Sequence, residues 1–65
     1  MLINLNGREH ETADGTTVEQ LLTQLELTVP LAVELNRRIC PKNRHNETQL
    51  NVGDVVEIVT IVGGG

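Results

Sequence analysis

The residues best placed to do chemistry stand together at the C-terminal end, where Val62 is followed by Gly63, Gly64 and Gly65. Glycines cannot pack a side chain and lose the most backbone entropy on ordering. Such a triplet therefore contributes reach and slimness rather than stability. Three extended residues span roughly 10 Å, and a backbone without Cβ atoms threads a channel that would exclude any other residue. The terminal carboxylate of Gly65 is ionised at neutral pH. It is a nucleophile that an ATP-dependent enzyme can convert to an acyl-adenylate. An unstructured chain end or an expression remnant is the other reading of the same triplet.

The remaining candidates are thinner. Cys40 is the one cysteine. It has no partner for an internal disulfide, which suits a reducing cytoplasm. A reactive thiol needs a base or cation arranged beside it; Arg38 and Lys42 are near in sequence only, so a plain strand cysteine is the simpler reading. His10 and His45 lie far apart without a cysteine pair or HxxxH spacing, and no metal site is expected. Arg37, Arg38, Lys42 and Arg44 hold most of the positive charge. They read as a solvated rim or as a docking contact, with Arg37 and Arg38 the candidates for the latter.

Composition narrows the partners. The net charge is −4 with a pI near 4.9, and there is no Phe, Tyr or Trp. An acidic chain repels phosphate backbones, and single-stranded nucleic acid is usually held by aromatic stacking. No nucleic acid is expected; a partner with a basic docking surface fits better. No apolar run approaches the ~20 residues of a membrane span, and no basic region followed by an apolar stretch marks a secretory leader. A cytoplasmic protein that meets no membrane is the expectation.

The elements that must position the tail follow from periodicity. Sixty-five residues make one domain at most, and a chain of this size buries only about 60% of its unfolded surface. Met1, Ile3 and Leu5 alternate as one apolar face of a strand. Asn6-Gly7 suits a type I′ turn, and Arg8 to Thr12 is a polar return strand. Thr17 and Gln20 have capping-box spacing. Val18, Leu21, Leu22 and Leu25 then recur on one helical face, and Val29-Pro30 ends the helix near Leu27. Leu31 to Leu35 and Ile39-Cys40 are short strands about Asn36-Arg37. Lys42 to Gln49 is polar and irregular. Val55 to Val62 is the strongest strand, apolar on both faces and hence central. Joining the first and last strands in parallel needs the helix as a crossover. The result is an α+β roll with one helix across a mixed sheet of about four to five strands. On the last strand Val56 and Ile58 face the helix, and some of Val59, Ile61 and Val62 form an exposed apolar patch beside the tail, a second candidate docking contact; the alternative is that both faces are buried in so small a domain.

The chain resembles the ThiS family, the sulfur carriers of thiazole (thiamine) biosynthesis. The resemblance rests on Ile3-Asn4-Leu5-Asn6-Gly7, Thr17-Val18-Glu19-Gln20-Leu21-Leu22, Val33-Glu34-Leu35-Asn36 with Ile39 and Pro41, and Gly53-Asp54-Val55-Val56-Glu57-Ile58-Val59 leading to Val62-Gly63-Gly64-Gly65. It implies a ubiquitin-like β-grasp domain over residues 1–62 and a flexible glycine tail over 63–65. It implies a substrate rather than a catalyst. A ThiF-like adenylating enzyme uses ATP to activate Gly65, and sulfur from a cysteine desulfurase replaces AMP to leave a thiocarboxylate. A ThiG-like thiazole synthase takes that sulfur, and the carrier itself binds no cofactor. The family often has an aromatic residue after the Pro, where this chain has Lys42 to Asn46 with His45. It often has Gly after the Asn at 36, where this chain has Arg37. A MoaD-like carrier of molybdopterin synthesis shares the fold and a Gly-Gly end but is usually longer and contains aromatics. A β-grasp interaction module without carrier chemistry is the alternative of another class.

Overall fold

The computed structural model describes residues 1–61. Among them β1 (Leu2–Leu5), β2 (Arg8–Glu11), α1 (Val18–Gln24), β3 (Leu31–Leu35), β4 (Arg38–Cys40) and β5 (Val55–Thr60) follow in order, with a 3₁₀ turn over Lys42–Arg44. The sheet order is β2-β1-β5-β3-β4. β1 and β5 pair in parallel, and the other neighbours are antiparallel. This is the expected mixed sheet with a helix crossover, and it is the ubiquitin-like β-grasp arrangement.

Both hairpins use the turn that matches strand twist. Asn6 and Gly7 have φ of 51° and 83°, and Asn36 and Arg37 have 52° and 68°. Arg37 thus adopts the left-handed conformation that a glycine would adopt freely, at a cost of roughly 1–2 kcal/mol.

Helix α1 opens with the expected capping box: the Gln20 amide donates to Thr17 Oγ1 at 3.1 Å, and the Thr17 amide donates to Gln20 Oε1 at 3.0 Å. It ends at Gln24 rather than near Leu27. Glu26 turns left-handed at φ 56°, its amide reaches the Thr23 carbonyl, and that of Leu27 reaches the Leu22 carbonyl. This is a Schellman closure, so the helix stops before the restriction imposed by Pro30 applies.

The core comprises Ile3, Val18, Leu21, Val33 and Val56, with Leu50 and Cys40. Leu5, Leu22, Leu25, Leu35 and Ile58, expected in the same core, pack against it half-buried. The segment read as polar and irregular does more than connect. Its His45 and Thr48 carbonyls accept from the Glu19 and Val18 amides, and the Leu50 amide donates to the Thr16 carbonyl. It closes over the start of α1, which buries Leu50 and His45. The last strand runs to Thr60 rather than Val62; Val62 and Gly63–Gly65 lie outside the described residues.

Candidate functional site

The site is built on β5, which carries the chain toward the glycines. The strand is held from both sides by the two turn asparagines. On the β1 side the Asn6 amide donates to the Val56 carbonyl at 2.9 Å, and the Ile58 amide donates to Asn6 Oδ1 at 2.8 Å. On the β3 side the Asn36 amide donates to the Val55 carbonyl at 2.7 Å, and the Val55 amide donates to Asn36 Oδ1 at 2.9 Å. Asn36 Nδ2 also donates to Asp54 Oδ1 at 3.1 Å. Asn tolerates the left-handed conformation of both turns. The last fixed point is the Ile61 amide, which donates to the Pro30 carbonyl at 2.8 Å.

One face of the sheet carries α1, and the opposite face is open. Val55 and Val59 lie there, the latter at 56% exposure, and Ile39 of β4 joins them at 65%; Ile61, one residue past the strand, is 55% exposed. Glu34 and Glu57 stand directly opposite one another on that face. Like charges so paired are unfavourable to the sheet. The open face is therefore apolar with an acidic centre.

The residues expected to dock are not brought together. Val59 and Ile61 are at the end of the sheet where β5 finishes. Arg37 is in the β3–β4 turn, and Arg38 is opposite Leu35, which in turn is opposite Val56. That is the other end of the sheet, about four strand residues or ~13 Å away. By alternation Arg38 also lies on the helix side, with Val33 and Leu35. Val62, Gly63, Gly64 and Gly65 lie outside the described residues.

A cleft of about 340 Å³ opens beside Ile61, between Leu22, Leu27, Pro30, Leu31 and His45. His45 is 7% exposed, and its Nε2 is 2.9 Å from the Cys40 carbonyl oxygen. It occupies the segment in which the resemblance leads one to expect an aromatic ring. Cys40 is buried, with Sγ 3.7 Å from Thr48 Oγ1. His10 on β2 and His45 after β4 lie at opposite edges of the sheet. Among the described residues no group of three or more His, Cys, Asp or Glu side chains converges on a metal-sized site, and no helix is long and apolar enough to cross a membrane. Periodicity alone did not single out Ile39 or the two asparagine contacts to β5, because each depends on a partner distant in sequence.

Residues 3–65 match the model of the ThiS family. The sulfur carrier protein ThiS of Bacillus subtilis is 38% identical over 66 residues, covering 98% of this chain and all of that protein. A thiazole synthase of Paramagnetospirillum magneticum is 39% identical over 66 residues, which is all of this chain but 20% of the synthase. The chain thus spans about a fifth of the synthase's length. The crystal structure of the thiamine biosynthesis protein ThiS from Geobacter metallireducens superposes with a TM-score of 0.88 at 29% identity, covering both chains completely.

Proposed function

This chain belongs to the ThiS family, and on that premise we propose that it is a sulfur carrier of thiamine biosynthesis that works through the carboxylate of Gly65. The carboxylate attacks the α-phosphate of ATP in an adenylating enzyme and releases pyrophosphate. The outer sulfur of a desulfurase cysteine persulfide then attacks the acyl carbon and displaces AMP, and a thiol reductant cleaves the resulting acyl disulfide, releasing the thiocarboxylate and becoming oxidised to a disulfide. A thiazole synthase accepts that sulfur. The carrier is the substrate throughout, and ATP is bound by the activating partner. A reducing cytoplasm suits a thiocarboxylate and a chain whose one thiol, Cys40, is unpaired.

The observation that carries this reading is a family match that runs through Gly65 along a chain whose β5 is tied on both sides as far as Ile58 and on the β3 side up to Ile61. A carrier must present a slim end from a fixed base, and a glycine triplet after such a strand meets that requirement. The likeness to one-fifth of a thiazole synthase supports a synthase as the recipient, since fusion in one chain keeps a donor beside its acceptor. The acidic, apolar open face supports partners with a basic docking surface.

The test is intact mass after incubation with ATP, an adenylating enzyme, a persulfide-loaded desulfurase and a thiol reductant. The expected result is an adenylate without the sulfur source and, with it, a mass gain equal to the difference between sulfur and oxygen. A chain whose mass stays unchanged under both conditions overturns the reading.

A further inference from the structure

The hydrogen-bond register of β5 leaves part of a central strand without a neighbour. The Asn36 amide bonds to the Val55 carbonyl and the Ile61 amide to the Pro30 carbonyl. Glu57 and Val59, paired opposite Glu34 and Ala32, alternate with these and direct their main-chain groups to β3 as well. Residues 54, 56, 58 and 60 therefore turn theirs to the β1 side. There Asp54 accepts from Asn4, Val56 accepts from Asn6, and Ile58 donates to the Asn6 side chain. β1 ends at Leu5, opposite Val56. Beyond Asn6, no group among the described residues meets the Ile58 carbonyl or the amide and carbonyl of Thr60. Thr60 is exposed, so these groups stand at a free strand edge.

We propose that this edge receives an extended strand of the adenylating enzyme, pairing main chain to main chain along Ile58 to Thr60. The proposal rests on the carrier reading above. An acceptor, a donor and an acceptor spaced along one edge are matched by another strand's backbone, and strand addition is a recurring way to recognise such an edge. A second copy of this chain is the less suitable occupant. Each copy carries a net charge of −4 and would bring its own Glu57 to the junction. Thr60 is three residues before Gly63 in the sequence. A grip there holds the carrier immediately before the segment that must be threaded, which ties alignment of the carboxylate to backbone rather than to side-chain identity.

Thr60→Pro removes the one free amide of this edge and leaves the β3 ladder intact, as proline is tolerated where a strand N–H has no partner. Its melting temperature is expected to stay close to that of the unaltered chain. The KM for adenylation is expected to rise by roughly threefold to tenfold, the loss of one main-chain hydrogen bond, with kcat little changed. Thr60→Val keeps the amide and is expected to bind several-fold more tightly than Thr60→Pro. Amide hydrogen exchange gives a readout that needs no variant. In the free chain Thr60 should exchange rapidly while Val59 and Ile61 are protected, and Thr60 should gain protection in the complex with the adenylating enzyme and ATP. If the unaltered chain is adenylated while its Thr60 amide still exchanges freely at saturation, the edge inference is overturned and the carrier reading stands. If the unaltered chain is not adenylated, the carrier reading falls and takes the inference with it.

Discussion

At the residue scale, Asn6 and Asn36 each supply with one amide side chain what a longer neighbouring strand would supply with its backbone. Replacing Asn6 by Ala leaves the Ile58 amide without its acceptor and puts a Cβ-bearing residue with no local hydrogen bond at φ 51°. The expected cost is about 1–3 kcal/mol, read from denaturant unfolding; a loss below ~0.5 kcal/mol would mean that the contact does not hold β5. The asparagines were legible as turn residues because Asn-Gly and the position before Arg37 are local signals. Their second role was not, since Ile58 lies 52 positions from Asn6 and no local pattern links them. The terminal glycines are the reverse case, readable from sequence and lying outside the described residues. Deleting Gly65 shortens the reach by ~3.5 Å. Since a 1 Å misplacement can cost about 10²-fold in rate, adenylation measured by mass should fall at least that far. Gly64→Val should fail as well, because its branched side chain collides with a channel shaped for backbone. Both variants should keep the circular dichroism of the unaltered chain. A Gly65 deletion activated at the full rate would remove the assigned role.

At the scale of elements, α1 contributes little by itself. Seven residues are too few for an independent helix, so its stability comes from what it covers. Leu21 is fully buried, whereas Leu22 is half-buried and lines the cleft beside Ile61. Leu21→Ala should cost about 2–5 kcal/mol in equilibrium unfolding, and Leu22→Ala clearly less. Equal costs would mean that the cleft is closed around Leu22 in solution. The apolar stripe identified both residues as core without ranking them, because ranking needs the Schellman turn that folds Leu27 back toward Leu22. The Lys42–Gln49 segment is polar and largely irregular, as its residues imply, but its contacts to α1 were not legible for a related reason. Its residues are polar, yet their carbonyls satisfy the first amides of α1, and that demand is set by an element more than twenty residues away. The parallel β1–β5 pair and the short hairpins were legible because they follow from period-two alternation, turn chemistry and the need for one crossover; the place of β3 beside β5 was not, since no local pattern links them.

At the scale of the molecule, charge and apolar area are unevenly shared between the two faces of the sheet. The helix covers one face, and the other sets Val55, Val59 and Ile39 around the Glu34–Glu57 pair. A domain this small gains nothing in stability from two carboxylates directly opposite on one sheet, so the pair is better understood through what approaches it. A basic partner surface converts the repulsion into attraction on contact and steers the encounter, an effect expressed chiefly in the association rate and its salt dependence. Glu57→Lys separates the two consequences. The variant replaces a like pair with an opposite one, so the isolated chain should gain about 0.2–1 kcal/mol, toward the lower end because Glu57 is exposed to solvent. Association with the adenylating enzyme should slow by about tenfold at low salt, and the difference should shrink as ionic strength approaches 1 M, where screening reaches only ~3 Å. Stopped-flow association across a salt series, beside thermal unfolding of the free variant, measures both. A variant that is stabilised yet associates at the unaltered rate at every salt concentration would mean that the open face is not the surface presented to the enzyme. Docking would then have to be sought at the Arg37–Arg38 end of the sheet.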